Sequence, residues 1–159
     1  MLHSKILKCI LTAQLKHMLK SRILIVEDDQ DDCELLIEAL LANGIEHEFL
    51  CFENPSEALI YLKTTKDETY LIISDVNMPG MNGFDFKKEI NEDKSLNKKN
   101  IPFIFFSTSS STFLINEAYN LSIQGYFQKP NDLKEINHVA RSIINYWNTC
   151  KHPTNYISD

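Results

Sequence analysis

Five short apolar runs, each followed by a stretch of helical periodicity, constrain this chain more than any other feature of its sequence. The first run, Arg22–Glu27, is almost continuously hydrophobic and rich in β-branched residues until it ends in acids. Continuous apolar runs of this length are typical of central strands in a parallel sheet, because both faces of such strands are buried. The other predicted strands are Glu48–Phe52, Tyr70–Ser74, Ile101–Phe106 and Gln124–Gln128.

Helical patterns fill the intervals between these runs. Apolar residues that share one helix face follow the first run, and they are Cys33, Leu36, Ile37, Leu40 and Leu41. The pair Asn43-Gly44 then supplies the left-handed turn that commonly ends a helix. Further helices are predicted to begin near Asn54-Pro55, Gly83, Ser109 and Asn131. Five alternating strand–helix units predict an α/β fold, with one five-stranded parallel sheet and helices on both faces.

A single domain accounts for almost the whole chain. The 159 residues suit one domain of ordinary size, and the periodic pattern leaves no room for a second. We assign residues 21–148 to this domain and residues 149–159 to a C-terminal tail. Residues 1–20 form an N-terminal extension, which we interpret either as sequence upstream of a true start at Met18 or as a basic helix.

The charge distribution argues against nucleic acid as a partner. The net charge is -6, and outside residues 1–20 the chain carries 12 basic against 22 acidic side chains. A surface of that sign repels a phosphate backbone. The apolar runs are also far shorter than the ~18–20 residues that span a membrane, which predicts a cytoplasmic protein with no membrane partner.

The four cysteines are scattered along the chain as Cys9, Cys33, Cys51 and Cys150. They form no Cys-x-x-Cys pair, and no histidine lies at the spacing of a zinc ligand. We therefore predict reduced thiols rather than a disulfide framework or a zinc site, in keeping with a cytoplasmic location.

The residues that end the predicted strands are the candidates for a functional site. Sites in open parallel sheets form at the carboxyl ends of the strands, which meet at one edge of the sheet. Four of these ends carry polar side chains, and they are Glu27-Asp28-Asp29, Asp75, Ser107-Thr108 and Lys129-Pro130.

The acids at this edge favour a bound cation. Two carboxylates ~4 Å apart repel each other by about 4 kcal/mol at an effective dielectric constant of 20. A hard divalent ion relieves that repulsion, and Mg²⁺ suits a site made of one or two carboxylates, water and a phosphate. The simpler alternative is that Glu27, Asp28 and Asp29 only cap the next helix, whose dipole favours acids.

Asp75 is the candidate nucleophile. A carboxylate can attack phosphorus and form an aspartyl phosphate, and a nearby lysine offsets the charge of the transferred group. Lys129 is the candidate lysine, and a cis bond to Pro130 would aim its ammonium group inward. Structural alternatives stay open, with Asp75 as a turn residue, Lys129 as a solvated side chain and Ser107 as an ordinary strand end.

Taken together, these residues resemble the receiver domain of bacterial two-component response regulators. The resemblance runs from about Ser21 to Trp147 and includes the single-domain, chemotaxis-regulator-like members. Its motifs here are ILIVEDD, LIISDVNMPGMNGFDF, IPFIFFST and GYFQKP. The residues Asp28, Asp75, Ser107 and Lys129 follow one another at intervals of 47, 32 and 22 positions. The resemblance implies the flavodoxin-like (βα)5 receiver fold.

The resemblance also implies a role for each site residue. Asp75 would accept a phosphoryl group from a phosphohistidine on a sensor histidine kinase or a phosphotransfer protein. Mg²⁺ would be bound by Asp28, Asp75 and the backbone carbonyl of Asn77, with Glu27 acting through water. The protein would catalyse only its own phosphorylation and dephosphorylation. The implied phosphate-binding and switch groups are Ser107, the backbone amide of Thr108, Lys129 and Tyr126. For Tyr126, a packing role alone is the open alternative.

The implied output is a change at the face formed by the fourth helix, the fifth strand and the fifth helix. Phosphorylation would alter how this face binds a downstream protein or a second copy of the chain. Phe113 and Ile115 are its candidate exposed apolar residues, with a place in the core as the open alternative for both. The hydroxyl run Ser107–Thr112 and the phenylalanine-rich fourth strand are similar to regulators related to those paired with bacterial phytochromes. In the family, the positions of Asn77 and Ser109 tune the lifetime of the phosphate.

Three other functions fit the sequence less well. A haloacid-dehalogenase-like phosphatase would need a second Asp two residues after the nucleophile, where this chain has Asn77. A flavodoxin-like cofactor binder would need a Gly, Ser or Thr loop after the first strand, and the loop here is acidic. A phosphorylation-independent interaction module would not need the complete set of site residues that this chain carries.

Overall fold

The computed structural model describes residues 21–153, which form one sheet of five parallel strands with helices on both faces. The strands are β1 (Arg22–Val26), β2 (Glu48–Phe52), β3 (Thr69–Ser74), β4 (Phe103–Ser107) and β5 (Gly125–Gln128). The helices are α1 (Gln30–Ala42), α2 (Pro55–Thr64), α3 (Gly83–Glu92), α4 (Thr112–Asn120) and α5 (Leu133–Thr149). The predicted extension, residues 1–20, and residues 154–159 of the predicted tail lie outside the described residues.

The strand order is β2-β1-β3-β4-β5, so the direction of winding reverses between β1 and β3. These two strands pair in parallel, with Val26 opposite Ser74. The Asp75 amide continues the ladder by donating to the Val26 carbonyl at 2.9 Å. Glu27 and Asp75 therefore leave neighbouring strands at the same edge of the sheet, at the point where ligands bind in such folds.

Both faces of the sheet are covered, which explains the continuous apolar runs. Along β1, Ile23 and Ile25 pack with α1 and α5 on one face. Leu24 and Val26 pack on the other face with residues from α2, α3 and α4. All four side chains are at most 2% exposed. The predicted fold class is thus confirmed, and its two hydrophobic layers follow from strand alternation.

Side-chain caps set the helix boundaries. The Asp29 carboxylate accepts hydrogen bonds from the Asp31 and Asp32 amides at 2.9 and 3.2 Å, so α1 begins before its first apolar residue. Helix α4 begins at Thr112 because Ser111 is its N-cap. Of the three acids after β1, Asp29 is therefore the one that caps the next helix, as the structural alternative predicted.

A four-residue helix, Lys94–Asn97, lies between α3 and β4 and was absent from the predicted pattern.

Gly83 brings α3 close to the end of β3. A Cβ atom at this first position of α3 would collide with the backbone oxygen of Asp75 and lie 2.9 Å from the Phe105 ring. The Gly83 amide also donates to the Val76 carbonyl at 2.9 Å. Glycine is thus required here by close approach, and the contact holds the loop after Asp75 against the sheet.

Cys33 and Cys51 are joined by a disulfide, so the prediction of reduced thiols was wrong for this pair. Their Cα atoms are 6.6 Å apart although 18 positions separate them in sequence. Cys33 lies in the first turn of α1, and Cys51 lies on β2, the strand next to β1 at the edge of the sheet. The two residues meet because α1 packs against this part of the sheet. Within the described range, Cys150 is a free thiol.

None of the helices in residues 21–153 is both long enough and apolar enough to cross a lipid bilayer.

We predict that the disulfide contributes to stability. Closing a loop of this length removes conformational entropy from the unfolded chain, worth about 3 kcal/mol in the free energy of unfolding. Urea unfolding without reductant should therefore show a loss of about that size for Cys33→Ser and for Cys51→Ser. Cys150→Ser is the matched control and should retain the stability of the unsubstituted chain. Equal stability of all three variants would contradict the bond.

Candidate functional site

Asp75 is the central carboxylate at the carboxyl edge of the sheet. It follows β3 directly and is 7% exposed. One carboxylate oxygen, Oδ1, accepts a hydrogen bond from the Val76 amide at 2.6 Å. The other, Oδ2, lies 3.4 Å from the Lys129 ammonium. The backbone thus orients one oxygen and leaves the other facing the lysine.

Lys129 connects the acids of this edge. Its Nζ atom lies 2.5 Å from Glu27 Oε2 and 3.0 Å from Asp32 Oδ2, in addition to its contact with Asp75. The lysine side chain is 8% exposed, and those of Glu27 and Asp75 are 6% and 8% exposed. One buried ammonium is therefore shared among carboxylates from β1, α1 and β3.

The predicted cis bond before Pro130 is wrong, because no peptide bond in the described range is cis. The trans form of an X-Pro bond is favoured by about 0.5–1 kcal/mol. The Lys129 amide donates to the Ser107 carbonyl at 2.8 Å, which fixes the backbone beside β4. From this trans backbone the side chain reaches Glu27 and Asp75, so no cis bond is needed to aim it.

The charges of this cluster perturb one another. Burial raises the pKa of Glu27 to about 7, and the nearby Asp75 carboxylate adds to the increase, although Lys129 opposes it. Burial disfavours the Lys129 ammonium, but the hydrogen bonds that it donates to Glu27 and Asp32 outweigh this effect and raise the pKa of the lysine. The site therefore holds more carboxylate than one ammonium can neutralise.

Three carboxylates converge in a way that suits a metal ion. Glu27, Asp28 and Asp75 each offer an oxygen, and these atoms lie within 4.8 Å of one another. Asp28 is exposed, whereas the other two are buried. An all-oxygen donor set with an open side is typical of Mg²⁺, which keeps several water ligands. The residues present therefore fit a hard divalent cation.

The hydroxyl-bearing residues lie beside this cluster. Ser107 is fully buried at the end of β4, and its oxygen lies 3.4 Å from the Ser109 amide. The Tyr126 hydroxyl donates to the Ser109 carbonyl at 2.7 Å, and its ring is half-buried. Burial raises the pKa of that tyrosine. The Asn77 side-chain amide donates to Ser109 Oγ at 3.1 Å. Ser109 thus links the loop after β3 to β5.

The first turn of α1 holds a site residue that the sequence did not predict. Asp32 lies in the first turn of α1, and its carboxylate accepts a hydrogen bond from the Lys129 ammonium. Its signal in the sequence is its position in the first turn of the helix after β1, which begins at the same edge of the sheet as the other acids. Of the predicted residues, Thr108 is exposed just beyond β4.

The face formed by α4, β5 and α5 carries exposed apolar surface. Phe113, near the start of α4, is 72% exposed, and Ile115 is half-buried. Large side chains of α5 are exposed as well, with Leu133 at 59% and Tyr146 at 54%.

Comparisons with known proteins agree with this architecture. The sequence profile of the response regulator receiver domain matches residues 23–141. Response regulator Rcp1 from Synechocystis is 28% identical over 130 residues, which is 79% of this chain and 87% of that protein. The crystal structure of the phosphorylated cyanobacterial phytochrome response regulator RcpA has a TM-score of 0.75 at 29% identity and covers 84% of this chain and 98% of its own.

A second solved structure, the Mn²⁺-bound form of Rcp1, has a TM-score of 0.74 at 27% identity and covers 84% of this chain and 99% of its own. The predicted resemblance to phytochrome-associated single-domain regulators is thereby confirmed. The chain belongs to the response regulator receiver domain family of two-component systems.

Proposed function

We propose that Asp75 accepts a phosphoryl group from a phosphohistidine on a sensor histidine kinase or a histidine phosphotransfer protein. The observation that carries the proposal is the geometry of Asp75, a buried carboxylate in contact with Lys129 and within 4.8 Å of oxygens from Glu27 and Asp28. A buried nucleophile beside a buried cation is suited to a substrate that brings additional negative charge.

The proposed reaction is an in-line displacement at phosphorus. A carboxylate oxygen of Asp75 attacks, the phosphorus–nitrogen bond of the phosphohistidine breaks, and its electron pair returns to the imidazole, which takes up a proton. Asp75 Oδ2, which faces Lys129, is the oxygen best placed to attack, because Oδ1 is bound by the Val76 amide. Lys129 then pairs with the negative phosphoryl oxygens.

A divalent cation would complete the site, held by Glu27, Asp28, Asp75 and, by resemblance, the backbone carbonyl of Asn77. When bound it supplies positive charge that offsets the charge developing on the phosphoryl oxygens. The Mn²⁺-bound form of Rcp1 supports this assignment, because it is a divalent-metal complex of a relative. We propose Mg²⁺ as the physiological ion for this chain, since its donor set is entirely oxygen.

The proposed output is a switch at the face formed by α4, β5 and α5. Ser107 and the Thr108 backbone amide would bind the new phosphoryl oxygens, and Tyr126 would respond because its hydroxyl is bonded to the Ser109 carbonyl two residues past Ser107. A downstream protein or a second copy of the chain would recognise the changed face, with Phe113 as an exposed contact.

The proposal makes the chain a cytoplasmic signalling protein that catalyses only reactions of its own phosphoryl group. Phosphorylation acts by favouring one of two conformations, so a partner responds only in proportion to its differential affinity for them.

The proposal predicts a covalent phosphoryl adduct on the intact protein. Incubation with acetyl phosphate and Mg²⁺ should add one phosphoryl mass, measured by intact mass spectrometry. The adduct should be absent in Asp75→Asn, because an amide is not nucleophilic toward phosphorus, and absent without Mg²⁺.

The matched control for this experiment is Asp85→Asn, which changes an exposed acid on α3 and should label like the unsubstituted chain. No adduct on the folded, unsubstituted protein would favour a phosphorylation-independent interaction module. An adduct that persists in Asp75→Asn would identify a different acceptor.

A second prediction concerns the metal ion alone. Mg²⁺ at about 100 times its dissociation constant should stabilise the folded chain by about 2.7 kcal/mol, which thermal unfolding detects as a rise in Tm. Asp28→Asn should remove most of that rise, because it deletes a carboxylate of the cluster. Asp31→Asn, an exposed acid outside the cluster, should retain it. A rise of equal size in both variants would contradict the assigned ligands.

A further inference from the structure

Among residues 21–153, a buried lysine without an acidic partner lies on α3, outside the cluster at the carboxyl edge. Lys87 is 6% exposed and occupies an inward-facing position between the core residues Phe86 and Ile90. It lies one helical turn beyond Gly83, whose position against the sheet keeps this helix close to the core. A lysine at such a position is uncommon, because burial of an ammonium group is costly unless the charge is compensated.

Among the described residues, no carboxylate compensates the positive charge of Lys87. Lys87 takes part in no salt bridge and no side-chain hydrogen bond in residues 21–153, and the contact of its Nζ atom is with the Phe103 ring, 5.2 Å from the centroid. The acids nearest in sequence, Asp85 and Glu89, are exposed, since residues two positions away lie on the far side of a helix. Burial accordingly lowers the pKa of this lysine.

Lys87 lines an open cleft of about 510 Å³. That volume is within the range of pockets that bind small molecules. Within the described range, no acidic residue lines the cleft, and Lys87 is its charged group. Its apolar wall is formed by Ile90, Leu96 and Ile101. A cleft with one cation, no anion and an apolar wall is notable in a chain whose net charge is -6.

The polar wall of the cleft is held in place by hydrogen bonds. The Gln124 side-chain oxygen accepts from the Phe103 amide at 2.6 Å, and its nitrogen donates to the Ser122 carbonyl at 3.2 Å. The Asn91 amide donates to the Leu121 carbonyl at 3.0 Å. The Asn91 bond ties α3 to the segment before β5, and the Gln124 bonds tie that segment to β4. The wall is therefore ordered before any ligand arrives, which lowers the entropic cost of binding.

Two further lining residues offer side-chain amide groups for recognition. Asn97 and Asn100 both line the cleft and are exposed. The Asn100 amide donates to the Lys98 carbonyl at 3.3 Å, and its backbone has a left-handed φ of 48°. Side-chain amides such as that of Asn97 donate to carboxylate or phosphate oxygens while an ammonium supplies the charge.

The geometry points to a binding site for a small organic oxyanion in this cleft. Its carboxylate or phosphate group pairs with the Lys87 ammonium and accepts from Asn97, and its aliphatic part packs on Ile90, Leu96 and Ile101. The site is separate from Asp75 and does not rest on phosphorylation of that residue.

The test is a titration of the full ¹⁵N-labelled chain with inorganic phosphate and, separately, with succinate, at constant ionic strength set by chloride. Backbone amide resonances are followed by NMR. Saturable shifts should be centred on residues 87–91 and 97–101. Whichever of the two anions binds more tightly identifies the head group that the site prefers.

Two variants at adjacent positions of α3 assign the site. Lys87→Met keeps the length and apolar stem of the side chain and should weaken binding about tenfold or more, as expected for loss of a charge-assisted hydrogen bond. Lys88→Met removes an exposed lysine and should bind like the unsubstituted chain. Equal affinity in Lys87→Met, shifts confined to residues around Lys129, or no saturable shift with either anion would overturn the proposal.

If Lys87→Met does not fold, a second measurement tests the proposal on the unsubstituted chain. The ¹³Cε resonance of Lys87 in the unsubstituted chain gives the pKa of the lysine with and without succinate or phosphate. A bound oxyanion stabilises the ammonium and should raise that pKa. A pKa that does not change at saturating anion would overturn the proposal as well.

Discussion

The contact of one buried ammonium, that of Lys129, with carboxylates from three elements is the interaction on which the carboxyl edge depends. The side chains of Glu27 and Asp75 are 6% and 8% exposed, so neither carboxylate is well hydrated. Each follows a strand end directly, and backbone pairing fixes the main chains from which the two side chains extend. Removing one partner of a buried ion pair commonly costs about 3–5 kcal/mol, because the remaining charge is left buried and uncompensated.

The same arrangement creates an electrostatic need that the protein alone does not meet. Asp28 and Asp32 add two further acids around a single lysine. The edge therefore favours a ligand that carries positive charge, or a ligand that binds together with a cation. In the proposed function a metal ion and a phosphoryl group would meet that need together: the ion would balance the acids, and the phosphoryl group would pair with the lysine.

Much of the fold and the site could be predicted from sequence, because both depend on local patterns. Strand β1 was found from its continuous apolar run, and Glu27, Asp75 and Lys129 were found because they follow strands. The features that escaped prediction depend on tertiary packing. The disulfide between Cys33 and Cys51 requires the placement of α1 beside β2, which no spacing rule encodes.

Two further features were not predicted from the sequence, and both also depend on tertiary packing. Asp32 joins the site because the Asp29 cap starts α1 early enough to place this residue in the first turn, where its carboxylate reaches Lys129. Lys87 looks like an ordinary charged position of an amphipathic helix, and it is buried because α3 lies close to the sheet at Gly83. The cis bond predicted before Pro130 failed for a different reason, since the long lysine side chain reaches the acids from a trans backbone.

The central claim is that Asp75, and not another acid of the crowded edge, carries the phosphoryl group. Borohydride reduces an acyl phosphate of aspartate to homoserine, which peptide mass spectrometry locates to a single residue. After treatment of the protein with phosphodonor and Mg²⁺, the account predicts homoserine at position 75. Homoserine at position 28, 29 or 32, or at no position in a fully folded sample, would contradict it.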